Sequence, residues 1–388
     1  MIDQRLAPRE LVLRFLASIG RPAEASQYLD LFRTEPERFA VIHVSDAVLR
    51  DALDALLVDL RFLADLGLRP VMVFGAVKPG GARRRAEQVR DALVATVPCT
   101  VIEASGAADV VRSGSLALVP LGGAGERNDD DAGAVDNRFD ALADLVGQLG
   151  ARKVVFLGRR SGLQPTGGRA VSIIDLTTER DHYLQVLPGK QRKLLRQIER
   201  LVDRVPHRIT VSVTSPLDLL RELFTVKGAG TLVRQGSRVT RHRRWDEVDA
   251  ARLVGLVEQA FGRPLVDGFE ERSLAAIYVA DDYRGAALVT ETALAPYLSK
   301  FAVDVVARGE GVGRDLWRAM AADYPRLFWR SRAANPITAW YREQCDGMMR
   351  VRVADVDWVV LWRGLEPAEI PAAIDYCRRS PADFVEPT

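Results

Sequence analysis

Over the first 150 residues of this 388-residue chain, short apolar runs alternate with segments of helical period, and that alternation limits the fold more than any other feature. Runs at 39–44, 70–74, 100–103 and 116–120 have strand length, and between them 46–66 and 82–94 carry apolar residues at three- and four-residue steps. A strand followed by a helix returns to its sheet through a crossover, so the pattern predicts an α/β domain with a mostly parallel sheet between helices. It continues with a helix at 139–149, a strand at 153–157, an expected hairpin at 159–169, a helix at 190–202, a strand at 208–213 and a helix at 216–224. Ahead of it, Val12, Leu16, Ile19, Tyr28 and Leu31 step helically around a break at Gly20-Arg21-Pro22, which predicts an N-terminal helical arm over 1–35.

At about 100–200 residues per domain the chain holds two, with the boundary expected after Gly236, dividing 36–236 from 237–388. In the second, Val248, Ala251, Val254, Val257 and Phe261 form a helical stripe. Strands follow at 275–279 and 285–291, turned by Asp281-Asp282, then at 297–306, 327–332, 348–354 and 358–362, making a mixed sheet.

A net charge of +2 implies no large polyanion as partner. The basic runs at 83–85 and 190–196 are interleaved with acids and lack aromatic platforms, so they read as solvated helix faces and not as a nucleic-acid surface. Cys99, Cys345 and Cys377 are odd in number and far apart, which suits neither a disulfide framework nor a metal site. No stretch reaches the roughly 18–20 apolar residues of a spanning helix, and the N-terminus lacks a signal-peptide pattern. A cytoplasmic protein with no membrane partner is expected.

The chemistry concentrates at Arg308-Gly309-Glu310-Gly311-Val312-Gly313, which follows a strand and opens a helix. Unpaired backbone N–H groups and the positive end of the helix dipole converge there, so a pyrophosphate fits. A dinucleotide site would need an acid at the end of the next strand, where this chain has Arg330-Ser331-Arg332. A ligand-free glycine-rich helix start is the remaining alternative.

Arg308, Gly311 and Gly313 match the Arg/Gln-x-x-Gly-x-Gly loop of the GNAT superfamily of N-acetyltransferases. That resemblance implies acetyl-CoA as co-substrate, held by Arg308, Gly309, Gly311, Val312 and Gly313, with no metal. More specific are Pro296-Tyr297-Leu298-Ser299-Lys300-Phe301, Leu327-Phe328-Trp329-Arg330-Ser331-Arg332, Asn335-Pro336, Trp340-Tyr341, Asp346-Gly347 and Leu361-Trp362-Arg363-Gly364-Leu365. Over roughly the last 150 residues the chain resembles the acetyltransferase domain of vertebrate-type N-acetylglutamate synthases and bacterial synthase/kinases. The resemblance implies L-glutamate as acceptor, contacted by Lys300, Arg330, Arg332 and Asn335.

The residues read alone agree in kind. Period-two alternation puts Arg330 and Arg332 on one face with Phe328, and two guanidinium groups suit a dicarboxylate. The same alternation groups Lys300 with Leu298 and Ala302 on the preceding strand. Pairing of the arginines with surface acids such as Asp304 or Asp323 is the alternative. The acceptor α-amine must lose a proton before it attacks, and no histidine lies in these motifs. A backbone N–H of the strand 301–306 is expected to polarise the carbonyl. Tyr341 is either the proton donor to the leaving thiolate or a core aromatic beside Trp340, and Cys345 reads as structural.

Residues 154–157, Ser172-Ile173-Ile174-Asp175-Leu176, Glu222-Leu223-Phe224-Thr225 and 227–233 resemble the amino-acid kinase domain of acetylglutamate kinases. Working members end the first strand in Lys-x-Gly-Gly and follow the second with a glycine-rich turn that holds phosphates. Here those places read His43-Val44-Ser45-Asp46 and Gly75-Ala76-Val77-Lys78-Pro79-Gly80-Gly81, so the domain is expected to be kinase-inactive although Lys193 matches a retained lysine. The related enzymes carry an arginine feedback site near the segment matching Lys227, Gly228, Gly230 and Thr231, which makes L-arginine an expected effector and a plain turn the alternative. A homo-oligomer built through this domain is also implied. Beside an N-acetylglutamate synthase stand an acetyltransferase for another amino acid and a silent arginine sensor or assembly partner.

Overall fold

The computed structural model describes residues 35–122, 132–224, 228–304, 307–308, 310–335 and 337–385. Contacts divide the chain into two compact units, through Gln235 and from Gly236. The expected helical arm, apart from Glu35, lies outside the described residues, as do Lys227 and Gly309.

The first unit has strands β1 (Val41–Val44), β2 (Val71–Phe74), β3 (Cys99–Val101), β4 (Leu116–Pro120), β5 (Lys153–Leu157), β6 (Ile173–Asp175), β7 (Thr210–Thr214) and β8 (Thr231–Arg234). Its helices are α1 (Asp46–Asp51), α2 (Leu53–Asp65), α3 (Ala82–Leu93), α4 (Ala107–Arg112), α5 (Ala132–Leu149), α6 (Arg180–Val186), α7 (Gly189–Arg204) and α8 (Leu219–Phe224). The sheet runs β3-β4-β2-β1-β5-β7-β8-β6, parallel throughout except for β7 against β8. Both faces are apolar, as a sheet covered on two sides requires: Val41 and Val73 pack with α5 and α7, while Ile42 and Met72 pack with α2 and α3. Where a hairpin was expected at 159–169 the chain makes turns, and its Leu163 N–H donates to Thr231 Oγ1 at 2.7 Å. Glycine and serine there serve a loop, not a strand pair.

Asp59, on α2, is buried, and its Oδ2 has no hydrogen-bond partner among the described residues. Burial raises its pKa from 3.8 to about 7. The folded state therefore keeps a proton that the unfolded chain has released, and stability falls as pH rises from about 4 to about 7. Asp59→Asn is expected to stabilise this unit by about 1–3 kcal/mol at pH 8 and to flatten that slope. Urea denaturation at pH 5 and pH 8 checks it; an equal effect at both pH values would refute the assignment.

The second unit has strands β9 (Val239–His242), β10 (Ala276–Ala280), β11 (Gly285–Thr290), β12 (Tyr297–Val303), β13 (Leu327–Arg332), β14 (Gly347–Val353) and β15 (Val356–Arg363), with helices α9 (Ala250–Phe261), α10 (Val312–Asp323), α11 (Thr338–Tyr341) and α12 (Ile370–Arg379). The order is β14-β15-β13-β12-β11-β10-β9, and only β12 and β13 run parallel. One face, with Tyr278, Leu298, Phe301 and Trp329, is covered by α10 and α11. The other is shared: α9 covers Ile277, Leu288 and Ala302, and α12 covers Tyr297, Phe328 and Val360. Neither β9 nor α12 was anticipated from the sequence. No helix of the described residues is long and apolar enough to cross a membrane.

Candidate active site

The parallel pair β12–β13 is hydrogen-bonded only at Tyr297↔Phe328 and Leu298↔Trp329, although β12 continues to Val303 and β13 to Arg332. The strands part towards their C-terminal ends. From those ends the chain runs through Arg308–Gly313 into α10 and through Asn335 into α11, so the glycine turn and Tyr341 both border the opening.

Gly311 caps α10 with φ of 82°, a left-handed conformation that glycine adopts without strain. A Cβ on Gly313 would meet only ordinary contacts, 3.5 Å from Val303, so packing does not demand glycine there. The first N–H groups of α10, opened by Gly311 and Gly313, fit the pyrophosphate of acetyl-CoA. Arg308 builds the loop: its guanidinium donates to Val303 O at 3.4 Å and to Ala260 O, in the last turn of α9, at 3.0 Å. Glu310 is neutralised by an ion pair with Arg284, and Val312 is fully buried.

The acceptor residues depend on a bulge. Lys300 pairs with Leu288 and Leu298 with Val289, so Ser299 is an extra residue in β12. Leu298 packs on the α10 face beside Trp329, whereas Lys300 and Ala302 take the other face. This corrects the expectation that Lys300 shares a face with Leu298. Strict alternation would have turned Lys300 away from Arg330; the bulge brings it to the arginine side.

Lys300 is 3% exposed, and its ammonium donates to Ser299 O and Ser299 Oγ, each at 3.2 Å, and to the Asp383 carboxylate. It lies over the rings of Phe269 (4.9 Å) and Phe384 (5.4 Å). Burial lowers its pKa, and Asp383 partly offsets that. Arg330 stacks on Trp358 at 4.4 Å and donates to the carbonyls of Cys377 (2.6 Å), Ser380 (3.0 Å) and Pro381 (2.8 Å), at and just beyond the end of α12. Arg332 is half-buried, 5.7 Å from the same Trp358 ring.

Asn335 Oδ1 accepts from Ile337 N–H at 3.2 Å in the turn that leads into α11. Tyr341 is 5% exposed and packs against Phe301, Trp317, Trp329 and Trp340. Its hydroxyl has no hydrogen-bond partner among the described residues, and burial raises its pKa. Burial also raises the Cys345 thiol, in line with a structural role.

Asp383 and Arg272 were not found from the sequence. Asp383 pairs with both Lys300 and Arg272; burial alone would raise its pKa, and the two cations hold it below the ordinary carboxylate value. No period or motif marks an aspartate five residues from the end of a chain. Among the described residues no cluster of His, Cys, Asp or Glu suits a metal.

In the first unit, Asp46, which opens α1 just after β1, pairs with Arg85 at 3.0 Å, and Arg85 donates to Gly80 O and Lys78 O, each at 2.6 Å. His43 is buried, with its pKa lowered to about 3 by burial and then by Arg85, so it stays neutral. Lys193 is exposed on α7. Gly228, Gly230 and Thr231 form a pinned turn: a Cβ on Gly230 would lie 2.3 Å from Val213 O, Ala229 N–H donates to Glu222 at 2.7 Å, and Thr231 Oγ1 donates to Val171 O at 2.5 Å.

The family described as NAT, N-acetyltransferase, of N-acetylglutamate synthase matches residues 240–380. The acetylglutamate kinase of Xanthomonas campestris pv. campestris is 36% identical over 91% of this chain and 97% of its own. This chain belongs to the N-acetylglutamate synthase/acetylglutamate kinase family. The human mitochondrial N-acetylglutamate synthase is 30% identical over 92% of this chain and 76% of its own. The N-acetylglutamate synthase from Neisseria gonorrhoeae, solved with coenzyme A and N-acetyl-glutamate, shares the fold with a TM-score of 0.52 at 18% identity, covering 88% of this chain and 98% of its own. The second unit is thus an amino-acid N-acetyltransferase of the GNAT type, acetyl-CoA is its co-substrate, and the first unit has the amino-acid kinase fold.

Proposed function

We propose that the second unit moves the acetyl group of acetyl-CoA to the α-amine of L-glutamate, and that the first unit has lost phosphoryl transfer. The observation that carries the first half is the Ser299 bulge, which sets Lys300 on the same sheet face as Arg330 and Arg332 where the strands part. Lys300 and Arg332 suit an acceptor with two carboxylates, with Arg330 beside them anchoring the end of α12.

Acetyl-CoA supplies the activated thioester carbonyl. The residues of this chain do the rest. N–H groups of β12 beyond Leu298, released from pairing with β13, polarise the carbonyl oxygen. Lys300 and Arg332 fix the acceptor carboxylates, and Tyr341 donates a hydrogen bond to the leaving sulfur. The acceptor ammonium gives its proton to water at the open end, because the unit's one histidine, His242, lies on edge strand β9, three strands from β12.

The second half rests on Asp46 and Arg85, which fill the turn where phosphates would be held. L-arginine, bound by the N. gonorrhoeae synthase, is the effector expected of this unit, in a homo-oligomer. The three free cysteines suit a reducing cytoplasm.

One preparation tests both halves. With acetyl-CoA, glutamate is expected to be acetylated at least about tenfold faster than aspartate, since one methylene is worth about 10–200-fold. With ATP and N-acetylglutamate, no ADP is expected above blank. An absence of glutamate turnover sinks the first half, and ADP formation abolished by Lys193→Ala sinks the second.

A further inference from the structure

We propose that Asp383 sets the affinity for the acceptor: it is a tethered carboxylate that occupies the Lys300 site until the acceptor's carboxylate displaces it. This rests on the reading of Lys300 as an acceptor ligand. An ammonium has three donors, and in Lys300 all three are taken, two by Ser299 and the third by Asp383. The site that the acceptor must use is therefore already filled by a group of the acceptor's own chemistry, one methylene shorter than glutamate.

Beyond the ion pairs of Asp383 and the Arg330 bond to Pro381 O, few backbone bonds hold the strap that carries Asp383. Val266 N–H donates to Asp383 O at 3.1 Å and Val385 N–H to Pro264 O at 3.0 Å, around a single bridge between Leu265 and Phe384. The Phe384 ring lies 4.8 Å from Phe261 at the end of α9, an exposed aromatic. Nothing else in β-pairing holds residues 381–385 among the described residues.

Exchange is also cheaper than vacancy. A buried ammonium left without a counter-charge is strongly destabilised, so Lys300 needs one carboxylate at all times, and replacing the strap's by the acceptor's keeps it paired throughout. Arg272, which is 39% exposed at its side chain, can keep Asp383 as the strap swings outward. A proton-accepting role for Asp383 fits less well, because Lys300 and Arg272 hold its pKa below the ordinary carboxylate value. The apparent affinity for the acceptor is then its intrinsic affinity multiplied by the fraction of time the strap is open.

Asp383→Asn keeps the shape and weakens the competing charge; Phe384→Ala loosens the strap and leaves the carboxylate intact. In the full chain, both are expected to lower KM for glutamate at saturating acetyl-CoA and Kd for N-acetylglutamate measured by titration calorimetry. A strap open about one-tenth of the time predicts about a tenfold fall. A strap that merely supports the pocket would raise both constants. If Asp383→Asn fails to fold, Phe384→Ala decides alone. Unchanged or raised constants in the variants, with normal glutamate turnover by the wild type, overturn the role of Asp383 and spare the proposed function. A wild type that neither acetylates glutamate nor binds N-acetylglutamate overturns both.

Discussion

Tyr341→Phe is expected to lower kcat for acetyl transfer by about 10²-fold and to leave thermal stability unchanged. The two readouts separate because the ring and the hydroxyl do different work. The ring is 5% exposed and packs against Phe301, Trp317, Trp329 and Trp340, contacts that phenylalanine preserves. The hydroxyl has no partner among the described residues, so removing it breaks no bond of the fold. Burial raises its pKa, which makes it a poor base and a weak acid but a permanent hydrogen-bond donor at working pH. A donor fixed where charge develops on the leaving sulfur acts on the transition state and not on binding, so the loss should fall on kcat with KM for glutamate little changed. Kinetics of the purified variant with both substrates varied check this. Wild-type kcat would return Tyr341 to the core, where an aromatic beside Trp340 belongs by default.

The sequence carried most of what depends on local pattern. The strand at 153–157 and the strand at 327–332 come out at the residues read from their periodicity, because an apolar run of strand length bounded by breakers has few other solutions. The faces of Arg330 and Arg332 follow from the same period. What failed depends on pairing or on the end of the chain. The bulge at Ser299 exists only relative to β11, and no property of Leu298-Ser299-Lys300 announces it. The 159–169 segment has the glycine, proline and serine of a hairpin turn, yet its partner is the Thr231 hydroxyl and no second strand pairs across it. The helix α12 is short and buries only Ala373, Ile374 and Cys377 among its charges, and it follows the last strand, where the alternation of strand and helix no longer calls for one. Missing that helix and the segment after it hid the groups that Arg330 and Lys300 touch, the carbonyls of Cys377, Ser380 and Pro381 and the Asp383 carboxylate.

Arg330 shows what those partners change. Its guanidinium donates to three carbonyls, those of Cys377, Ser380 and Pro381, which close α12 and begin the strap that carries Asp383. Carbonyls at a helix C-terminus lack intrahelical donors and gather the negative end of the dipole, so a planar cation spanning three of them both satisfies and neutralises that end. Stacking on Trp358 at 4.4 Å fixes the plane of the fork. Arg330→Ala is therefore expected to destabilise the second unit by about 3 kcal/mol, from charge-assisted hydrogen bonds worth about 1.5–3 kcal/mol each that do not add fully. It should also cut kcat/KM for glutamate by more than about tenfold, because the end of α12 and the pocket lose their common anchor. Arg330→Lys keeps the charge but not the fork, and should recover less than half of the stability. A guanidinium that served only the substrate would give the opposite pattern: an unchanged denaturation midpoint in Arg330→Ala, with the whole loss in KM. Chemical denaturation and steady-state kinetics on the same three proteins separate the two, and the direction is opposite to that for Asp383→Asn, whose loss is expected to tighten acceptor binding.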